Sequence, residues 1–174
     1  WGSAGSTRRP GVALNGKGAY VALPASLLDT VGDFSIAAWV YWHGGQTWAR
    51  IFDFGASIDK NMFLTPNSGS GKLSFVVSTN QNYGQCVIDA PAPLATGEWV
   101  HVAVTVGGQS GKLYVNGRVA GSNQSMFFPP CQMVLAANLW IGRSQFANDV
   151  TFDGLVSDFR LYRGALTDSQ VAAL

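Results

Sequence analysis

The sequence predicts an all-β fold, two antiparallel sheets packed face to face, and three observations carry that prediction. Segments rich in Val, Ile, Phe and Trp recur at intervals of about eight to twelve residues between Gly-, Pro-, Asn- and Ser-rich breaks, the spacing of a sandwich. The composition, 47% apolar and 12% charged over 174 residues, supports one buried core, and no long stretch keeps helical period. Between Gly97 and Gly121 two alternating runs flank a Gly/Ser/Gln-rich break at Gly107 to Gly111. Val100, Val102, Val104 and Val106 fall on one side of the first run, and Trp99, His101, Ala103 and Thr105 on the other. Asn116-Gly117 then tolerates positive φ at both centres of a type I′ turn, so a third strand at Arg118 to Ala120 folds straight back.

In chain order, residues 1–11 are small, polar and Pro/Gly-containing, the composition of a linker or N-terminal arm, and the domain is expected over 12–174. Val12 to Leu14 and Ala19 to Leu23 read as an opening hairpin around Asn15 to Gly18. Ala25 to Val31 has room for one helical turn. Phe34 to Trp42 is a strand with Phe34, Ile36, Ala38 and Val40 on one parity and Trp39 and Tyr41 on the other. Strands follow at Trp48 to Phe54, Asn61 to Leu64, Lys72 to Thr79 and Cys86 to Ala90. Beyond the central hairpin, Gly121 to Pro130 is a loop holding Met126, Phe127 and Phe128, apolar residues that call for something to pack against. Leu139 to Arg143 and Phe152 to Tyr162 are the closing strands. Thr167 with Gln170 fits a capping box, so a short C-terminal helix is expected from Asp168. The turn signals give twelve to fourteen strands in all.

The formal charge is +1, with no Lys/Arg cluster beyond Arg8-Arg9, which argues against nucleic acid and anionic lipid as partners. No apolar run reaches the ~18 residues of a membrane-spanning helix. The chain begins at Trp1 without Met or a charged-then-apolar leader, so it is expected to be an excised piece or a mature form. Cys86 and Cys131 lack CxxC spacing, which leaves a disulfide or two buried thiols.

The run W-V-H-V-A-V-T from Trp99, followed by L-Y-V-N-G from Leu113, resembles the signature of concanavalin A-like, laminin G-like jelly-roll domains. Asp33 to Tyr41 (DFSIAAWVY) and Phe152 to Ala165 (FDGLVSDFRLYRGA) resemble the early and closing strands of the same family. The resemblance implies a two-sheet jelly roll. It also implies a secreted context, in which a Cys86–Cys131 disulfide is favoured; the loop closed would be worth about 4 kcal/mol. A structural Ca²⁺ where the first and last strands meet is a further implication, with Asp158 supplying a carboxylate and the turn at Asn15 and Gly16 supplying oxygens.

Relatives with this sandwich include glycoside hydrolases that use paired carboxylates. Here the sole glutamate, Glu98, sits at a turn, no E-x-D-x-x-E arrangement exists, and Asp53 and Asp89 lie on different strands. There is no G-x-S-x-G elbow, and His43 and His101 lack metal-ligand spacing. Binding therefore outweighs catalysis. Sugar rings stack on Trp and Tyr while their hydroxyls seek amides, carboxylates and guanidinium groups. Trp42, Trp48 and Tyr83 occur with Gln46, Arg50, Asp53, Asn61, Asn80 and Asn82, and Trp140 and Phe146 occur with Arg143, Gln145 and Asn148. A glycan site is expected on the concave face and its rim at Trp42, Trp48, Arg50, Asp53, Tyr83, Trp140 and Arg143, whereas Trp39 and Trp99 are expected to fill the core. The expected function is a non-catalytic carbohydrate-binding module, monomeric and covalently linked to a secreted, bacterial polysaccharide-degrading enzyme. The alternative is a protein-interaction, adhesion or spacer domain.

Overall fold

The structure, a computed structural model, describes residues 9–80, 84–126 and 138–174. Among the described residues twelve strands run in order: β1 (Val12–Asn15), β2 (Val21–Leu23), β3 (Phe34–Trp42), β4 (Phe52–Gly55), β5 (Asn61–Thr65), β6 (Ser74–Ser78), β7 (Gln85–Asp89), β8 (Trp99–Gly107), β9 (Ser110–Val115), β10 (Arg118–Asn123), β11 (Asn138–Ile141) and β12 (Asp153–Arg163). They form two six-stranded antiparallel sheets, β1-β12-β3-β8-β9-β10 and β2-β11-β4-β5-β6-β7. The expected two-sheet sandwich is present.

The core lies between the sheets and follows from strand parity. Phe34, Ile36, Ala38 and Val40 of β3 and Val100, Val102, Val104 and Val106 of β8 are buried on the inner face of the first sheet. Phe52 and Phe54 of β4, Met62 and Leu64 of β5, and Phe75 and Val77 of β6 are buried in the same core from the second sheet. Burying each such side chain contributes roughly 1.5–3 kcal/mol against conformational entropy. Asn116 (φ 49°) and Gly117 (φ 74°) make the two-residue turn that their sequence demands. The terminal helix α1 (Asp168–Ala172) carries the expected capping box: the Gln170 backbone N–H donates to Thr167 Oγ1, and the Thr167 N–H donates to Gln170 Oε1 at 2.9 Å. It packs through Val171 on Ala37, Ala103 and Tyr114, outside the first sheet.

Several expectations are corrected. β1 and β2 are not a hairpin: β1 pairs with β12 in one sheet and β2 with β11 in the other. The Asn15 to Gly18 turn thus carries the chain across the sandwich, because the eleven-residue β12 offers β1 a ladder that three-residue β2 cannot. Trp42 shares the parity of Val40, so it is in the core at 3% exposure. Trp39 and Trp99 take the opposite parity and stand half-buried on the outer face of the first sheet. At the end of the expected N-terminal arm, Ser157 donates its hydroxyl to the Pro10 carbonyl, and the Arg9 guanidinium lies 3.6 Å from the Trp39 ring centre.

Candidate functional site

The inner face of the second sheet is apolar; its outer face carries buried polar groups. Opposite the core residues Phe52 and Phe54 stands Asp53, and opposite Met62 and Leu64 stand Asn61 and Phe63. Asp53 and Asn61 are both 0% exposed. Two connections fold over this face, the one between β3 and β4 bringing Trp48 and Arg50, and the one between β11 and β12 bringing Ser144 to Asp149. Between them lies a pocket of about 240 Å³, with Asn61 and Phe63 in its lining, Trp48, Phe146, Ile58 and Gln85 around it, and Arg50 and Asp149 also reaching it.

Arg50 organises the pocket. Its guanidinium is 2% exposed and lies 3.8 Å from the Phe63 ring centre, a cation–π contact. Nη1 donates to the Trp48 carbonyl at 2.6 Å and Nη2 pairs with Asp149 Oδ2 at 2.8 Å. Nε lies 3.5 Å from Asp53 Oδ2, an ion pair without hydrogen-bond geometry. Asp53 Oδ2 accepts instead from the Gln145 backbone N–H at 3.0 Å, and Ser144 Oγ donates to Asp149 Oδ2 at 2.7 Å. One guanidinium therefore ties together two loops and a strand. Burial dominates the electrostatics here: it pushes the Asp53 carboxyl up to about 6, against the pull of the Gln145 N–H and Arg50. Burial likewise lowers Arg50 below its ordinary value, with Asp53 and Asp149 opposing.

Trp48 is held in a conformation that bulky residues avoid, with φ 68°. Its N–H donates to the Asn67 carbonyl at 2.9 Å, its carbonyl accepts from Arg50, and its indole lies against Gly69, where a Cβ would come within 3.0 Å of the ring. Three contacts thus impose the strained backbone, and the ring is left 38% exposed beside the pocket. Below it, neither amide atom of Asn61 has a hydrogen-bond partner among the described residues. An unmatched buried amide costs on the order of 1–3 kcal/mol, so its retention in a pocket calls for an explanation.

Of the residues expected at the site, Trp48 and Arg50 line this pocket and Asp53 supports it from beneath. Trp42 is corrected to the core. Trp140 and Arg143 form a separate cluster with Tyr20: the Arg143 guanidinium lies 4.5 Å from the Trp140 ring and 4.7 Å from the Tyr20 ring. Tyr83 lies outside the described residues. Phe63, Asp149, Ile58 and Gln85 were not expected at the site, and Asn61 and Phe146 only as members of a wider polar and aromatic set. Strand alternation held the signal for Asn61 and Phe63, which flank the inward Met62.

Asn15, Gly16 and Asp158, the expected calcium ligands, each have a protein partner. Asn15 stands opposite Asp153, with Asp158 five residues farther along β12, in the bulge between Ser157 and Arg160. Asp158 is bidentate on Arg160, at 2.8 and 2.7 Å, and Asn15 Oδ1 accepts from the Lys17 N–H at 2.9 Å. The Gly16 N–H, for its part, donates to the Phe152 carbonyl. Among the described residues no group of three or more His, Cys, Asp or Glu could hold a metal ion. The expected Cys86–Cys131 disulfide is not found: Cys86 is a buried free thiol whose Sγ donates to the Ser125 carbonyl at 2.9 Å, and Cys131 lies outside the described residues. Asp53 and Asp89 do not make a catalytic pair either. Two strands, β5 and β6, separate them, a span of about 14 Å or more at ~4.8 Å per strand, whereas paired carboxylates of glycosidases lie ~5–9.5 Å apart.

The family model of the concanavalin A-like lectin/glucanases superfamily matches residues 15–172. The chain belongs to that superfamily. Among solved structures it is similar to domain 4 of AbnA, a GH43 extracellular arabinanase from Geobacillus stearothermophilus, in complex with arabinotriose. The two share 27% identity and a TM-score of 0.76, over 94% of this chain and 75% of that one. It is also similar in fold to the CBM40 of the Ruminococcus gnavus IT-sialidase bound to α2,3-sialyllactose, at 16% identity and a TM-score of 0.77, over 95% and 96% of the two chains. The NanB sialidase of Streptococcus pneumoniae matches at 15% identity and a TM-score of 0.77, over 94% of this chain and 27% of that one. No curated protein sequence matches the chain significantly.

Proposed function

We propose that this domain is a non-catalytic carbohydrate-binding module, ancillary to a secreted polysaccharide-degrading enzyme. The observation that carries the reading is the pocket itself: an exposed, conformationally strained indole stands beside a buried amide whose donor and acceptor are both unpaired among the described residues. A sugar ring offers what each side needs, C–H groups for the indole and hydroxyls for the amide. The arabinotriose complex of AbnA domain 4 supports a saccharide ligand, and the extracellular arabinanase that contains it supports the ancillary, secreted role. The NanB match, which takes in about a quarter of that sialidase, is consistent with one unit of a larger enzyme. The acidic groups support binding over catalysis. Asp53 is sealed beneath the pocket and Asp149 is held by Arg50 and Ser144, so neither carboxylate of this pocket stands free for acid or base chemistry.

Affinity electrophoresis tests this reading. Parent protein is expected to be retarded in gels containing arabinan or another neutral plant or microbial polysaccharide, and Trp48→Ala to be retarded several-fold less while remaining folded. Absence of retardation on every polysaccharide would favour a protein-interaction or adhesion domain instead.

A further inference from the structure

We infer, resting on the glycan-binding reading, that the pocket takes one uncharged sugar residue, at the end of a chain or branch, and excludes sugar acids. Three observations converge on this. The first is size: at about 240 Å³ the pocket is smaller than the ~300–1,000 Å³ of sites that bury drug-sized ligands. Its lining comes from four segments of chain, around Trp48, Ile58, Gln85 and Phe146, with β5 contributing Asn61 and Phe63. That is the form of a socket for a single ring whose glycan leaves through the mouth, not of a groove that a chain crosses.

The second is charge. The single cation of the pocket, Arg50, is already matched by two carboxylates, Asp149 at 2.8 Å and Asp53 at 3.5 Å. Its flat face is occupied by Phe63. Among the described residues no other Lys, Arg or His belongs to the lining, and Asp59 and Lys60 of the adjacent turn offset each other. With both carboxylates ionised the set carries one net negative charge, so an incoming carboxylate meets repulsion rather than a free guanidinium.

The third is hydrogen-bond chemistry. The Asn61 amide presents one acceptor oxygen and one donor nitrogen, both unpaired among the described residues and both within the 0%-exposed floor. A hydroxyl can donate and accept, so adjacent sugar hydroxyls would match both atoms once a seated ring displaces the side chains that close over the amide. A carboxylate accepts only and would leave the amide oxygen, with Asp149 nearby, facing another acceptor.

Calorimetric titration of the parent, Asn61→Ala and Trp48→Ala proteins separates the possibilities. The probes are arabinotriose, xylotriose and lactose as neutral ligands, and 3′-sialyllactose and trigalacturonic acid as acidic ones. At least one neutral ligand is expected to bind, with every acidic ligand at least tenfold weaker, and with longer oligomers of the bound sugar gaining no more than about threefold. Asn61→Ala should abolish that binding without lowering Tm, since the variant removes an unmatched polar group, whereas a structural asparagine would lower Tm when replaced. An acidic ligand that binds as tightly as any neutral one, and is lost in Asn61→Ala, would overturn the inference while leaving the glycan-binding reading intact. Affinity that rises steadily over four or more residues, or neutral binding unaffected by Asn61→Ala, would also overturn it. If no saccharide binds, the glycan-binding reading falls and the inference with it.

Discussion

Two pockets of this domain make an instructive pair. One lies on the outer face of the second sheet beneath Trp48; the other, larger at about 370 Å³ against about 240 Å³, lies where α1 meets β8 and β9. The larger one is lined by Thr105, Lys112, Tyr114 and Asp168, residue types as suited to a ligand as any in the smaller. Its polar groups, however, satisfy one another. Lys112 Nζ and Tyr114 Oη both donate to Asp168 Oδ1, at 2.6 and 2.8 Å, and Thr167 caps the helix. These groups are spent on anchoring the C-terminal helix. The smaller pocket holds Asn61, with both amide atoms unpaired among the described residues, under an indole forced to positive φ. Unspent hydrogen-bonding capacity and imposed strain, rather than volume, set the smaller pocket apart as the proposed site.

The comparison can be broken by mutation. The largest effect is expected from Arg50→Leu, which strands buried Asp53 and cuts the tie between two loops; removing one member of a buried pair costs about 3–5 kcal/mol. Denaturant unfolding measures it. Lys112→Ala, its counterpart in the larger pocket, should leave the unfolding midpoint nearly unmoved, because solvent screens that exposed pair.

A pH series sharpens the contrast. The carboxyl of Asp53 is pushed from 3.8 up to about 6 by burial, so the folded state holds its proton more tightly than the unfolded chain. Its stabilising contribution is fully present below about pH 4 and is lost as the pH rises through about 6. At about 1.4 kcal/mol for each tenfold change in proton affinity, the loss is of order 2–3 kcal/mol. The stability of the parent relative to Asp53→Asn is therefore expected to decline between pH 4 and 6.5. A difference that stays constant across that window would mean that burial does not govern this carboxyl.

Smaller effects are expected at Trp48. Replacement by Gly should leave the domain more stable than replacement by Ala, by about 1 kcal/mol, because Gly accepts φ 68° without strain. Both variants should lose stacking worth on the order of 1 kcal/mol, seen as several-fold weaker glycan binding.

What the sequence disclosed follows the range of the interactions involved. The β8–β9–β10 meander, the alternation of β3 and the capping box of α1 were readable because each is fixed by residues close together in the chain. The partners of β1 and β2 were not, because their ladders are with β12 and β11, more than a hundred residues away. Trp48, Arg50 and Asp53, singled out from their chemistry, meet at one pocket. Trp42 was misplaced although the parity that puts Val40 inside also puts Trp42 there. Trp39 and Trp99 show the converse: tryptophans on the outward parity stand on the face of the first sheet, where Trp99 packs edge-on to Tyr41 and Trp39 receives Arg9. Asn61 was visible only as one polar residue among several. Its significance depends on Phe146 and Asp149, which the connection before β12 delivers more than eighty residues later.

The most direct test of the site is a ¹H–¹⁵N correlation spectrum recorded while arabinotriose or another retained neutral glycan is added. The side-chain amide pair of Asn61 and the indole N–H of Trp48 should shift together and saturate with one affinity, while the indole signals of Trp39 and Trp99 stay in place. Shifts confined to Trp39 and Trp99, with Asn61 and Trp48 unmoved, would place the ligand on the first sheet and contradict the account.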